Sequence, residues 1–145
     1  ACWTTGFNGV LDAYLLDNAF YDSGTKAWAD AAPLDYLGAT DSTNVSVIVA
    51  NTITMTLTDG GSPIASTAVV VTDAAATEVF NGSTNGSGVI SFVAKDFSRI
   101  DGTRTEHNPY TITISGYVDE DVELERVNTP AAGLPITITV PMTAE

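Results

Sequence analysis

The chain contains one histidine, His107, and one cysteine, Cys2. Any Ser-His-Asp or Cys-His arrangement for nucleophilic catalysis must therefore include His107. This histidine lies in a polar stretch just before Pro109, which predicts a surface loop. The segment Gly86-Ser87-Gly88 lacks the spacing of a nucleophile elbow, and Cys2 lies almost the whole chain away from His107. We therefore expect no catalytic residues and no enzymatic activity.

Metal binding is weakly indicated. One histidine and one cysteine cannot build a Cys/His site for a transition metal within this chain. Calcium requires only oxygen ligands, and its weak candidates are Asp119, Asp121 and Glu123. The carboxylates from Asp121 onward alternate with other residues, however, which favours the solvent-facing side of a strand over an ion site. We expect no bound metal and no cofactor.

The charge of the chain restricts its partners. Eighteen acidic residues outnumber five basic ones, which gives a formal net charge of −13. Such a surface repels nucleic-acid phosphates and anionic lipids, so we expect no nucleic acid partner. The sequence also has no run of about 18 apolar residues, so we expect no membrane insertion.

The amino-acid composition changes near residue 44. This change predicts two parts, an N-terminal extension or assembly segment (1–44) and a β-sandwich (45–145). The first part is aromatic, and we expect its aromatic side chains to form a core or a subunit interface, with sugar stacking as the alternative. Its segment 10–16 fits either a helical turn or a strand. The candidate interface residues are Trp3, Phe7, Tyr14, Phe20, Tyr21, Trp28 and Tyr36.

From Val45 onward the chain is rich in Val, Ile and Thr, which alternate with a period of two. This pattern predicts strands near 45–50, 52–58, 67–72, 76–81, 88–94, 109–116, 121–127 and 134–142, with a polar loop over 95–108. The predicted core residues are Ile53, Met55, Leu57, Ile112, Ile114, Ile136 and Ile138. The predicted fold class is therefore all-β, an antiparallel sandwich with an irregular N-terminal extension.

Several segments in order resemble a known module. Residues 56–71 run from a strand through a Gly-Gly-Ser-Pro turn into a Val-rich strand, and residues 84–90 are similar to a "T-D-x-x-G" signature with Asn85 in place of Asp. Residues 108–117 resemble a "Y-x-I-x-x-x-G-Y" strand, and residues 136–140 match a closing strand. This succession, over about residues 45–142, resembles the carboxypeptidase-regulatory-like or bacterial Ig-like modules, which often follow a right-handed parallel β-helix.

The resemblance implies an Ig-like (prealbumin-like) sandwich that acts as a non-enzymatic structural or display module. Such modules occur in extracellular, cell-surface and virion-surface assemblies, including capsid decoration. The implied partners are other copies of the chain or other proteins of the assembly. The alternatives are a carbohydrate-binding adhesin module, for which glycans would be partners, and an accessory domain of a larger secreted enzyme. The chain could also be a piece of a longer polypeptide.

Overall fold

The computed structural model describes residues 11–17, 20–22, 27–29, 45–101, 103–124 and 136–145. Every regular element within these ranges is a β-strand. None of the described residues forms a helix that is long and apolar enough to cross a membrane. The strands are β1 (Leu11–Leu16), β2 (Phe20–Asp22), β3 (Ala27–Ala29), β4 (Val45–Asp59), β5 (Ser62–Pro63), β6 (Ala68–Thr72), β7 (Glu78–Ser83), β8 (Val89–Ile100), β9 (Thr103–Glu106), β10 (Tyr110–Thr113), β11 (Glu120–Val122) and β12 (Ile136–Met142).

Two sheets pack face to face, which confirms the predicted all-β sandwich. The large sheet has six strands in the order β1-β4-β8-β9, with β12 and β5 also paired to β4. The small sheet has four strands in the order β11-β10-β6-β7. Most neighbouring strands are antiparallel, but β1 and β12 run parallel to β4. These two strands run parallel to β4 because both reach it by long connections rather than by hairpin turns.

The core lies between the sheets and follows the predicted alternation. Met55, Leu57 and Ile112 are fully buried, and Val71 of the small sheet belongs to the same apolar cluster as Ile53 of the large sheet. Among the predicted core residues, Ile138 alone is only partly buried, and it packs against the edge of this cluster. A period of two therefore identified the inward face of the central strands.

Two predicted boundaries were wrong. The predicted strands 45–50 and 52–58 form one 15-residue strand, β4, and the predicted loop 95–108 contains the end of β8 and all of β9. A bulge in β8 interrupts its register with β4 between Val49 and Ala50. All four residues of β9 are exposed, so this edge strand has no apolar alternation to reveal it.

Asp17 lies between β1 and β12, which follow one another along the same edge of β4. Its backbone N–H donates to the carbonyl of Ala50 at 3.0 Å. Its carboxylate accepts hydrogen bonds from the backbone N–H of Thr52 at 2.6 Å and from the Thr52 hydroxyl at 2.7 Å. These bonds satisfy β4 where β1 has ended and β12 has not yet begun, so the strand remains hydrogen-bonded along its length.

The turn before β8 depends on Asn85 and Gly88. The side-chain oxygen of Asn85 accepts hydrogen bonds from the N–H groups of Ser87 and Val89 at 2.8 and 3.0 Å. Gly88 has a φ of +75°, and a Cβ at this position would lie 2.8 Å from the carbonyl oxygen of Leu57. A glycine is required here both by its left-handed backbone and by the close approach of β4.

The turn geometry predicts different effects for two neighbouring glycines. Gly88→Ala should lower the free energy of unfolding by about 1–3 kcal/mol, because alanine would be strained at this φ and would contact Leu57. Gly86→Ala should change it by less than about 0.5 kcal/mol, because nothing lies within 4 Å of a Cβ there. Urea unfolding measures both values, and an equal loss in the two variants would contradict the turn described here.

The core assignment predicts a second contrast, in strand β10. Ile112→Ala should lower the free energy of unfolding by about 2–5 kcal/mol, because it leaves a cavity at a fully buried position. Thr113→Ala, one residue further along the strand, should cost less than about 1 kcal/mol because Thr113 is exposed. Denaturant unfolding of the pair would refute the inward and outward assignment if the two losses were similar.

Candidate functional site

The candidate functional site is a cluster of Asp73, Ser98 and His107 at one end of the sandwich. Asp73 immediately follows β6 of the small sheet, whereas Ser98 lies near the end of β8 in the large sheet. His107 immediately follows β9, in the connection that leads from the large sheet to β10 of the small sheet. The cluster therefore links both sheets and the connection between them.

The turn after β6 holds the Asp73 carboxylate in place. One of its oxygens, Oδ1, accepts hydrogen bonds from the backbone N–H groups of Ala75 at 3.0 Å and Thr77 at 2.8 Å. The backbone of Asp73 closes the same turn through its N–H, which donates to the carbonyl of Thr77 at 2.9 Å. An aspartate that binds the N–H groups two and four residues ahead is a local, sequence-encoded anchor.

Backbone hydrogen bonds on both sides fix His107. Its N–H donates to the carbonyl of Asp96, in the bulge of β8, at 3.3 Å. Its carbonyl accepts from the N–H of Ala74, in the turn after β6, at 3.1 Å. The imidazole is thus held between the two segments that supply its side-chain partners.

The side chains form a continuous hydrogen-bonded chain. His107 Nδ1 lies 3.0 Å from Asp73 Oδ2, and His107 Nε2 lies 3.1 Å from Ser98 Oγ. Asp73 and Ser98 are 6% and 7% exposed, and the side chain of His107 is 12% exposed. Burial to this degree keeps water from competing strongly for these hydrogen bonds.

The lowered pKa of Asp73 defines the direction of its hydrogen bond with His107. Burial raises the pKa of Asp73, but the hydrogen bonds from His107, Thr77 and Ala75 together outweigh it and leave the pKa below its ordinary value. An ionised carboxylate only accepts hydrogen bonds, so Nδ1 of His107 must carry the proton. In the neutral imidazole Nε2 is then an acceptor, and the Ser98 hydroxyl donates to it.

Further hydrogen bonds brace the same end of the sandwich. The Tyr110 hydroxyl donates to the carbonyl of Lys95 at 2.7 Å, and burial raises the pKa of Tyr110 far above its ordinary value. Asn108, next to His107, accepts a hydrogen bond from the N–H of Leu124 at 2.8 Å through its side-chain oxygen. The three residues of the cluster therefore sit in a rigid frame.

The expectation that His107 is a surface-loop histidine was wrong, because its side chain is 12% exposed and contacts Asp73 and Ser98. Sequence reasoning missed Asp73 and Ser98 altogether, because neither lies near His107 in the chain. One signal was available for Asp73, since Asp followed by Thr four residues later is compatible with the observed turn. No local signal marks Ser98, whose position depends on how β8 and β9 pair.

Few of the predicted interface residues lie where the structure describes their side chains. Tyr14 does, and its side chain is 54% exposed on β1. Strands β2 and β3 pair with each other and contain Phe20, Tyr21 and Trp28, whose side chains lie outside the described part. Trp3, Phe7 and Tyr36 lie outside the described residues, as does Cys2.

The weak calcium candidates do not converge. Asp119, Asp121 and Glu123 are all exposed, and Asp121 accepts a hydrogen bond from the Thr111 hydroxyl at 2.7 Å. In the part of the chain that the structure describes, no group of three or more His, Cys, Asp or Glu residues is placed to hold a metal ion.

Comparisons with known proteins found no match. No protein-family model matches the chain, and neither a curated protein nor a solved structure is significantly similar to it. The interpretation of the cluster therefore depends on its geometry alone.

The lowered pKa of Asp73 predicts a pH-dependent contribution to stability. A depressed pKa in the folded state means that ionised Asp73 stabilises the fold above its unfolded pKa, near the ordinary 3.8, and that this stabilisation is lost as the pH falls through the folded value. The difference in the free energy of unfolding between wild type and Asp73→Asn should therefore be largest above about pH 5 and shrink towards pH 2.

Urea unfolding across this pH range measures the difference, with Asp121→Asn as an exposed control that should show a much smaller dependence. A gap between wild type and Asp73→Asn that stays constant from pH 7 to pH 2 would contradict the assigned role of the carboxylate.

Proposed function

We propose that the chain is a structural or display module that acts through protein–protein contacts in an extracellular, cell-surface or virion-surface assembly. The observation that carries the proposal is an exposed apolar face on the large sheet. It comprises Tyr14, Leu16 and Ile100, and we call it the apolar face. The surface location rests on the resemblance to Ig-like modules described above.

The strand register places these three residues on one side of the sheet. Tyr14 and Leu16 pair with Ile48 and Ala50 of β4, and Ile100 pairs with Ser46. Ser46 and Ile48 are alternate residues of β4, and Tyr14 and Leu16 are alternate residues of β1, so these side chains project from the same face. The members lie on β1 and β8, on either side of β4.

The members of this face are exposed to solvent. Tyr14 and Ile100 are 54% and 52% exposed, and Leu16 is 39% exposed. In a protein with a net charge of −13, an apolar group of this kind is a place where a partner can bind without bringing carboxylates together. Tyrosine, the one aromatic residue of this face, is typical of residues that dominate binding energy.

Two other functions remain as alternatives. In a carbohydrate-binding adhesin, Tyr14 would stack on a sugar ring, and a glycan array would detect binding that Tyr14→Ser abolishes. In an accessory domain of a secreted enzyme, the same face would contact a catalytic domain. We favour a protein contact because the other members of the apolar face are aliphatic rather than the polar groups that a sugar requires.

The proposal predicts that the apolar face contributes to self-association of the full chain. The double variant Tyr14→Ser/Ile100→Ser should weaken the dissociation constant at least about tenfold, which corresponds to about 1.4 kcal/mol. Sedimentation equilibrium over a wide concentration range measures this constant. Deletion of residues 1–44 would be a less specific test, because it also removes β1 and Asp17 from the large sheet.

Val118→Ser is the matched control, since Val118 is 49% exposed but lies outside the apolar face. Its dissociation constant should equal that of wild type. A chain that stays monomeric at millimolar concentration, or an equal effect of the control, would contradict self-association through this face.

A further inference from the structure

We propose that Ser98 is a reactive serine, activated by His107 and Asp73, that accepts an acyl or phosphonyl group from a small electrophile. This reactivity goes beyond the proposed structural function and does not depend on it. It rests on the hydrogen-bonded cluster at the end of the sandwich.

The order of the groups in the cluster, carboxylate to imidazole to hydroxyl, is the order that activation of a nucleophile requires. Asp73 Oδ2 accepts a hydrogen bond from His107 Nδ1 at 3.0 Å, and in the neutral imidazole Nε2 is then the basic nitrogen, 3.1 Å from Ser98 Oγ. In serine catalytic triads, too, the carboxylate binds Nδ1 of the histidine and the nucleophilic hydroxyl lies at Nε2. Asp73 is itself held by two backbone N–H groups, so the base is oriented before any electrophile arrives.

The reaction can be written with all atoms in place. As the Ser98 Oγ attacks a carbonyl carbon, its proton passes to His107 Nε2 and the new O–C bond forms. The bond from carbon to the leaving group then breaks, and His107 returns the proton to the leaving group. With a fluorophosphonate the O–P bond forms, the P–F bond breaks, fluoride leaves, and the released proton passes through His107 to solvent.

The surrounding strands limit the reaction to a single turnover. Ser98 pairs with Ile48 of β4 on one side and with Thr105 of β9 on the other, so the sheet occupies backbone N–H groups along this part of β8. Backbone N–H groups that pair within the sheet do not stabilise the oxyanion that forms during attack. The loss of one such donor typically lowers the catalytic rate about 10²–10³-fold. Attack therefore requires an activated electrophile, and the adduct should persist because its hydrolysis lacks the same stabilisation.

Access to Ser98 is narrow but lies beside the apolar face. Ser98 is 7% exposed, and Ile100, two residues further along the same side of β8, is 52% exposed. A hydroxyl that is buried to this extent favours a small electrophile over a bulky one. The exposed side chain of Ile100 favours one that carries a small apolar group.

Ser91 provides a control within the same strand. It is exposed and pairs with Thr54, in the part of β8 that precedes the bulge. The only histidine of the chain already contacts Ser98, so Ser91 has no histidine base. If exposure controlled reactivity, Ser91 would react first; if the histidine does, Ser98 would.

The experiment incubates the full chain with a small alkyl fluorophosphonate and measures the rate of adduct formation at each serine by peptide mass spectrometry. Ser98 should be labelled at least about tenfold faster than Ser91. Ser98→Ala should remove the adduct, while His107→Gln and Asp73→Asn should each slow it at least about tenfold without changing the rate at Ser91.

The Ser98-to-Ser91 ratio in wild type requires no variant, so it tests the proposal even if a substitution impairs folding. Labelling in urea adds a second test, since the preference for Ser98 should disappear when the chain unfolds. Absence of an adduct on Ser98, faster labelling of Ser91, or an unchanged rate in folded His107→Gln would each overturn the proposal.

Discussion

The architecture depends on the backbone hydrogen bonding of one long central strand. The 15 residues of β4 pair with β8 along one edge, while β1 and then β12 cover the other edge. A strand of this length spans about 50 Å, longer than a typical strand of about 17–20 Å. Because its two edge partners do not overlap, Asp17 must supply the missing acceptors at Thr52.

This strand also explains why one end of the large sheet differs from the other. From Ile53 to Leu57, β4 covers the shared core with side chains that the small sheet buries. Around Ile48 it pairs instead with β1 and with the end of β8, where Tyr14 and Ile100 remain exposed. The apolar face is thus a consequence of extending one sheet with apolar strands while leaving part of that extension uncovered.

The hydrogen bonds that join Asp73, His107 and Ser98 both stabilise the fold and orient the imidazole. Structurally, they tie the turn after β6 to β8 and to the connection that crosses between the sheets. Chemically, the same ionised carboxylate that stabilises the fold orients the imidazole towards a hydroxyl. Stability alone would require only satisfied hydrogen bonds, whereas reactivity further requires that a small electrophile reach Ser98.

The sequence by itself determined the elements whose signals are local. The period of two marked Ile53, Met55 and Leu57 as core, and the Asn85–Gly88 segment carried its own turn chemistry. Only the tertiary structure decided the parallel pairing of β1 and β12, the continuation of β8 through a bulge, and the meeting of residues 73 and 107, which are 34 positions apart. These features depend on which strand edges meet, and a hydrogen bond between distant backbone or side-chain groups leaves no periodic trace in the sequence.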